Sequence, residues 1–175
     1  MEYALCGWPE DGPTLDLDYR EFAYAGKFVM SSTGKAVVRE GDGIVGAVAF
    51  NEDRTDSTTL WLRYITVRAD CRGEGLGARL AAFAAERALA RGYDRLRIAV
   101  NNPFAYEALH KAGFGYTGRE TGLAELVLER PSECSRAAYQ SGLDVYRARD
   151  LSDDEVEFLA SRADRDPPER LDPPA

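Results

Sequence analysis

Three glycines stand at alternate positions between two arginines in residues 71–80, CRGEGLGARL, directly before an alanine-rich segment. Backbone without side chains can approach an anion closely, and the free N–H groups and dipole at the start of a helix attract negative charge. The stretch therefore predicts a phosphate-binding turn. Arg68, Arg72 and Arg79 would supply positive charge around it.

Two common phosphate motifs can be compared with this turn. Residues 73–78 fit the G-x-G-x-x-A fingerprint of dinucleotide sites. That fingerprint also needs a carboxylate about 20 positions further on, at the end of the next strand, and here that strand ends in Val100-Asn101-Asn102. The nucleoside triphosphate motif G-x-x-x-x-G-K-[ST] does not occur in the chain. Both ligands are therefore disfavoured.

Hydrophobic periodicity predicts the elements that must position the turn, in the order β, α, β, β, β, loop, α, β, α, β, β. The predicted elements are strands over 1–8, 35–39, 43–50, 58–67, 93–100, 114–118 and 123–129, with one helix or two short ones within 16–30 and further helices from 76 to 91 and from 103 to 112. Beyond Pro131 we expect a helix within 132–139, a strand or extended link over 144–149, and a helix that a capping box opens at Ser152.

Two signatures flanking the turn resemble those of the GNAT (N-acetyltransferase) superfamily. Residues 67–77, VRADCRGEGLG, are similar to its strand ending in valine followed by Arg/Gln-x-x-Gly-x-Gly/Ala. Residues 102–105, NPFA, and 112–114, AGF, are similar to its second signature. The resemblance implies the GNAT acyl-CoA N-acyltransferase fold, an α/β (α+β) class with a mixed, mostly antiparallel splayed sheet flanked by helices. It would occupy residues 1–130, followed by a partly helical extension over 131–165 and a disordered tail over 166–175.

The resemblance also implies an activity, the transfer of an acetyl group from acetyl-CoA to a primary amine by direct attack. The backbone N–H of Val67 would donate to the thioester oxygen, and the amides of residues 72–77 would hold the pyrophosphate. The residues assigned to acetyl-CoA in this way are Ile65, Val67, Arg72, Gly73, Glu74, Gly75, Leu76, Gly77, Ala78, Arg79, Asn102, Ala105 and Tyr106.

One departure from the family pattern concerns the acceptor. Arg63 stands where the family often has a glutamate base, and an arginine cannot act as a base. It could hold a substrate carboxylate with two parallel hydrogen bonds, or it could instead be exposed or paired with a neighbouring carboxylate. Tyr24 and Tyr64 are candidates to bind the acceptor with it, although strand alternation places Arg63 and Tyr64 on opposite faces. Other residues that could act as the base are Glu21, Glu52 and Asp53.

A second departure concerns the proton donor. Leu109 stands where the family usually has a tyrosine. Tyr106 lies one helical turn earlier on the same face, so we predict that its hydroxyl is the acid. His110 is a further candidate, with an exposed surface position as the alternative. Because both usual positions differ, a catalytically weak acyl-CoA-binding sensor or regulatory module of the same fold is the alternative function.

Amino-acid composition limits the kinds of partner and cofactor that we expect. A net charge of −8 disfavours a nucleic-acid surface. Three scattered cysteines and one histidine favour neither a disulfide framework nor a metal site, and no apolar run is long enough to cross a membrane, so we expect a cytoplasmic protein.

Arginine supplies all but three of the 22 basic residues. Such acidic, lysine-poor composition is consistent with a halophilic habitat, and equally with a GC-rich genome. The expected acceptor is a small amine, an amino acid or a protein N-terminus, and the extension could either form a homodimer or cap the acceptor cleft.

Overall fold

The chain divides between Leu96 and Arg97 in the computed structural model, which describes all 175 residues. Residues 1–96 and 172–175 form the first unit, and residues 97–171 form the second. The chain contains seven β-strands and four α-helices, with the strands and the first two helices close to their predicted positions. The predicted α/β class, with mostly antiparallel strands flanked by helices, is confirmed.

Alternating and fully apolar segments build a sheet in the first unit. Its antiparallel strands follow the order β1-β2-β3-β4, and helix α1 packs against them. The bounds are β1 Glu2–Gly7, β2 Gly34–Glu40, β3 Gly43–Glu52, β4 Thr59–Val67 and α1 Leu76–Arg91. As predicted, α1 ends before Gly92, whose φ of 113° suits a residue without a side chain.

The helix predicted within residues 16–30 is wrong. The segment forms turns and a 3-10 helix over Ala25–Val29, and Tyr24 before it has a left-handed φ of 60° that interrupts helical backbone. Leu17, Phe22 and Phe28 are nevertheless buried, in a cluster with residues of β2 and β3. The apolar spacing in this segment therefore reflects docking onto the sheet rather than a helical period.

A fully buried lysine holds the loop that leads into β2. Lys35 Nζ donates to the backbone oxygens of Pro13 at 2.6 Å and Thr33 at 2.9 Å, and also to that of Met30. A buried ammonium needs such acceptors because it has lost its hydration. This contact ties residues 30–33 to the start of the sheet, and no sequence motif predicted it.

The second unit contains most of β5 and all later elements except the last residues of the tail. Strand β7 lies between β5 and β6, and α3 packs on β6. The bounds are β5 Arg95–Val100, α2 Pro103–Lys111, β6 Gly115–Glu120, β7 Leu126–Arg130, α3 Arg136–Arg147 and α4 Asp153–Ser161. The strand or link predicted over 144–149 is wrong, because α3 continues as far as Arg147, with Leu143 and Tyr146 buried on one face. The capping box between Ser152 and Glu155 that opens α4 is confirmed.

The C-terminal residues are tied into this unit by polar contacts. Arg162 Nε donates to Glu107 Oε1 of α2 at 3.2 Å, and the Tyr139 hydroxyl donates to the same carboxylate. Residues 166–175 form no helix or strand, yet the Leu171 N–H donates to the Lys111 oxygen at 2.9 Å. None of the helices is both long and apolar enough to cross a membrane.

The buried ammonium of Lys35 gives the first testable prediction. Lys35→Met would leave three backbone oxygens without a donor, and we expect the free energy of unfolding to fall by about 3 kcal/mol. Lys111→Met is the matched control, because its side chain is exposed, and a change of about 0.5 kcal/mol or less is expected there. Urea titration of the three proteins measures both values. Equal stability of the two variants would contradict this role for Lys35.

Candidate functional site

The glycine-rich turn leaves backbone donors exposed where β4 passes into α1. The first hydrogen bond of α1 runs from the Arg79 N–H to the Gly75 oxygen at 3.1 Å. The N–H groups of Leu76, Gly77 and Ala78 precede that bond and have no acceptor within the helix. Gly75 offers no side-chain cap, and the first turn contains no acidic residue. The turn therefore presents unpaired donors at the positive end of a helix dipole.

Two of the glycines are needed for the shape of the turn. Gly73 and Gly75 have φ values of 83° and 80°, in the region that side chains disfavour. A Cβ atom added to Gly73 would meet no other atom within 4 Å. Open space thus lies directly over the backbone, and a phosphate group can approach the N–H groups there.

Two arginines are held against this turn without a carboxylate partner. Arg72 Nε donates to the Val67 oxygen at 3.2 Å, and Arg79 Nη1 donates to the Glu74 oxygen at 3.0 Å. Arg68 differs, because its guanidinium pairs with Asp70 at 2.6 Å and lowers the pKa of that carboxyl. Of the three arginines predicted to make the turn positive, Arg72 and Arg79 therefore carry uncompensated charge.

The hydrogen bonds between β3 and β4 determine which N–H groups of β4 are directed toward β3 and which are directed away from it. The Arg68 N–H donates to the Val45 oxygen at 2.8 Å, whereas Val67 pairs with Gly46 and Ile65 with Val48 in the register. Because hydrogen-bonded residues alternate along an antiparallel pair, the N–H groups of Ile65 and Val67 are directed away from β3. The pairing of β4 with β3 therefore leaves these two N–H groups unused.

Side chains of β4 do not alternate strictly between the two faces of the sheet at Arg63. The register passes from Leu62 opposite Phe50 to Tyr64 opposite Ala49, so Arg63 is the extra residue of a β-bulge. As a result, Arg63 and Tyr64 line the same cavity of about 330 Å³, and their predicted placement on opposite faces is wrong. Other residues that line the cavity are Lys27, Met30, Ser32, Thr33, Asn51, Glu52 and Arg54.

The side chain of Arg63 is oriented by neutral groups. Its Nε donates to Asn51 Oδ1 at 2.6 Å, and its guanidinium lies 5.1 Å from the centre of the Trp61 ring. The ring of Tyr24 lies 5.6 Å from that of Tyr64. The structure thus brings together the three residues predicted to bind the acceptor, and Arg63 pairs with an amide rather than a carboxylate.

The three carboxylates considered as a base have different surroundings. Glu52 lines the cavity and accepts a hydrogen bond from the Tyr93 hydroxyl at 2.9 Å; burial and this contact raise the pKa of Tyr93 to about 12. Asp53 accepts from Trp61 Nε1 at 2.6 Å, and Glu21 is exposed. Glu52 is therefore the one of the three that faces this space.

In the second unit, Tyr106 is a packed core residue. It is fully buried, its hydroxyl donates to the Tyr139 oxygen at 2.9 Å, and burial raises its pKa above the usual range. A Cβ atom added to Gly142 would lie 2.1 Å from that hydroxyl oxygen. The Tyr106 proton is thus committed to a backbone oxygen in a closed interior, which argues against the predicted role as catalytic acid.

The second signature has a local structural explanation. Asn102 Oδ1 accepts the Ala105 N–H at 2.8 Å and caps the start of α2. Asparagine is a favourable residue at the N-cap of a helix, and Pro103 occupies the first helical position. These contacts account for Asn102 and Ala105 through helix capping, and their predicted contact with acetyl-CoA stays a prediction.

His110 is buried rather than exposed. Its Nδ1 lies 2.7 Å from the Tyr106 oxygen, and because a carbonyl only accepts, Nδ1 carries the proton. Its Nε2 is buried without a partner, and burial lowers the pKa of His110 to about 4. The imidazole is therefore neutral at physiological pH.

The chain matches one protein-family model and resembles several solved structures. Residues 1–114 match the model described as the acetyltransferase (GNAT) family. The acetyltransferase of Bacillus subtilis, solved in complex with CoA, superimposes with a TM-score of 0.57 at 18% identity and covers 73% of this chain and 95% of that one. No curated protein matches the sequence.

Two other solved structures are similar over a shorter stretch. An N-acetyltransferase from Staphylococcus aureus Mu50 has a TM-score of 0.50 and 22% identity, over 55% of this chain and 66% of that one. The Salmonella typhimurium protein yncA, solved with its cofactor acetyl-CoA, has a TM-score of 0.50 and 17% identity, over 58% and 70%. Because these solved structures are less than 25% identical to this chain, the similarity to them shows the fold alone.

The neutral, buried His110 predicts how stability depends on pH. With a folded-state pKa of about 4 against 6.5 for the free side chain, the unfolded chain takes up the proton first as the pH falls. Stability is then complete above pH 6.5 and is lost toward pH 4, by about 3 kcal/mol from this residue.

His110→Gln keeps an N–H donor and removes the titration, so its unfolding free energy, measured by urea titration, should change less over the same pH range. Because both proteins share all carboxylates, including the neighbouring Glu107, the difference between them isolates the histidine. Parallel pH curves for the two proteins would contradict the prediction.

Proposed function

The chain belongs to the GNAT acetyltransferase family, and from that premise we propose that it transfers the acetyl group of acetyl-CoA to the nitrogen of a primary amine. The observation that carries the proposal is the turn at the start of α1, with its unpaired N–H groups, open glycine backbone and two uncompensated arginines. An acidic protein needs such a local reversal of potential to bind a polyanion.

The residues of this turn fit the diphosphate of acetyl-CoA. The N–H groups of residues 72–78 would bind its oxygens, with Arg72 and Arg79 supplying charge. Leu76 and Ala78 have buried side chains, so they would contribute through their backbone alone. Bound acetyl-CoA supplies the acetyl group as a thioester, from which direct attack by the amine forms an amide and releases the thiol.

Residues of β4 and of the cavity would stabilise the thioester oxygen, deprotonate the amine and bind the acceptor. The outward N–H of Val67 would donate to the thioester oxygen as it gains negative charge. An alkylammonium must lose a proton before its nitrogen can attack, and Glu52 is the carboxylate that lines the cavity. The cavity formed by Arg63 and Tyr64 would hold the acceptor.

A pair of glycine variants tests the proposed activity. Gly73→Ala places a methyl group in the open space over the turn, whereas Gly118→Ala in β6 imposes the same strain elsewhere, since its φ is 82° and a Cβ atom there also meets nothing within 4 Å. Both should lose about 1 kcal/mol of stability from left-handed strain. Only Gly73→Ala should raise the KM for acetyl-CoA, by about tenfold or more, in an assay of thiol release with a panel of primary amines.

The result also separates two functions. Amine-dependent thiol release supports the transferase. Acetyl-CoA binding that Gly73→Ala weakens, with no release for any amine, would instead support the acyl-CoA sensor. Absence of acetyl-CoA binding by the unaltered protein would contradict both.

The surroundings of Tyr106 give a separate prediction for catalysis. Tyr106→Phe removes the donor to a buried backbone oxygen, so the free energy of unfolding should fall by about 2 kcal/mol. Because the hydroxyl is committed to Tyr139, kcat should stay within about twofold of the unaltered protein. Urea titration and steady-state kinetics on the folded variant measure the two effects. A large loss of kcat with unchanged stability would restore Tyr106 as the acid.

A further inference from the structure

The cavity beside β4 concentrates positive charge that the chain does not neutralise. Lys27, Arg54 and Arg63 line it, and none of the three forms an ion pair with a carboxylate. Glu52 is the single acidic residue of the lining, and one of its oxygens already accepts the Tyr93 hydroxyl. In a chain of net charge −8, these three exposed cations give the space a local positive potential that attracts an anion.

A buried hydroxyl in the same wall also lacks a partner. Thr33 is 6% exposed, and its Oγ1 has no hydrogen-bond partner within the chain. A buried polar group left unpaired is costly and is usually satisfied by a ligand or water. The Lys35 ammonium fixes the position of Thr33 by binding its backbone oxygen at 2.9 Å.

The guanidinium of Arg63 is prepared for a planar anion. Asn51 Oδ1 accepts a hydrogen bond from Arg63 Nε at 2.6 Å, and the Trp61 ring lies against the guanidinium. Its orientation is therefore set by groups that leave its charge intact. The terminal nitrogens retain N–H donors, since the one contact they make within the chain is a weak one of 3.5 Å to the Glu52 backbone oxygen. Such a fork matches the two oxygens of a carboxylate.

We propose that this cavity binds the carboxylate of the acceptor, and that the acceptor is therefore a free amino acid rather than a simple amine. The inference rests on the proposed acetyl transfer and specifies its substrate class. Lys27, Arg54 and Arg63 neutralise the carboxylate, Glu52 faces the amino group, and the ring of Tyr64 contacts the side chain. A volume of about 330 Å³ is suited to a molecule of this size.

The test compares amino acids with their carboxamides in two independent readouts. Transfer is followed by thiol release from acetyl-CoA, and binding is followed by calorimetry with the same ligands in the presence of CoA. We expect at least one amino acid to have a KM and a Kd about tenfold or more below those of its carboxamide. The preference should shrink in molar KCl, because the attraction is electrostatic.

Charge-neutral variants assign the effect to the cavity. Arg63→Gln and Arg54→Gln should each raise the KM and Kd for the amino acid about tenfold, with little change for the carboxamide or for acetyl-CoA. Arg87→Gln, on the exposed side of α1, is the matched control for loss of one positive charge and should change none of these values.

The outcomes separate this inference from the proposed function. Transfer with equal KM for acids and carboxamides, or a preference for peptides with a free N-terminus, would overturn the amino acid site and leave acetyl transfer intact. Carboxylate-dependent binding without any transfer would overturn the proposed function and leave the site intact.

Discussion

The β-bulge at Arg63 is the constraint on which both candidate binding features depend. A strand alternates between its two faces and its two hydrogen-bonding edges with a period of two, so one extra residue reverses every position beyond it. Here the extra residue brings Arg63 and Tyr64 to one cavity, and it sets the phase in which the N–H groups of Ile65 and Val67 are directed away from β3. One local irregularity thus places two side chains at one cavity and directs two N–H groups away from β3.

Arginines without a carboxylate partner lie at both the glycine-rich turn and the cavity of this acidic chain. At the turn, Arg72 and Arg79 bind backbone oxygens, and in the cavity Arg63 binds an amide oxygen. Neutral acceptors orient a guanidinium without cancelling its charge, whereas Arg68, paired with Asp70, has lost that capacity. The choice of partner therefore distinguishes arginines that can bind an anion from those that stabilise the loop. That distinction depends on geometry, and arginine content alone could not reveal it.

The glycine-rich turn could be predicted from the sequence because its conformation depends on local residues. Features that depend on contacts between distant residues could not be predicted. Gly73 and Gly75 need no distant residue to adopt their conformations, so the glycine pattern and the start of α1 followed from the sequence. The bulge at Arg63 depends on the register of two strands, which hydrophobic period does not encode. Leu17 and Phe22 have helical spacing, yet they dock on the sheet through turns. No sequence motif predicted that Lys35 is buried, because the three backbone oxygens that accept its hydrogen bonds come together only after folding.

The C-terminal residues explain why side chains of α2 are poor candidates for proton transfer. The backbone oxygen of Tyr139 accepts a hydrogen bond from the Tyr106 hydroxyl. The Tyr139 hydroxyl in turn donates a hydrogen bond to Glu107, which Arg162 also binds. His110 is enclosed beside the same tyrosines and is neutral. The polar groups that α2 would otherwise offer are thus used to attach α3 and the residues that follow α4. The proposed transfer therefore assigns its donors to the backbone of β4 and α1 and its base to the carboxylate in the cavity, and it assigns no proton transfer to α2.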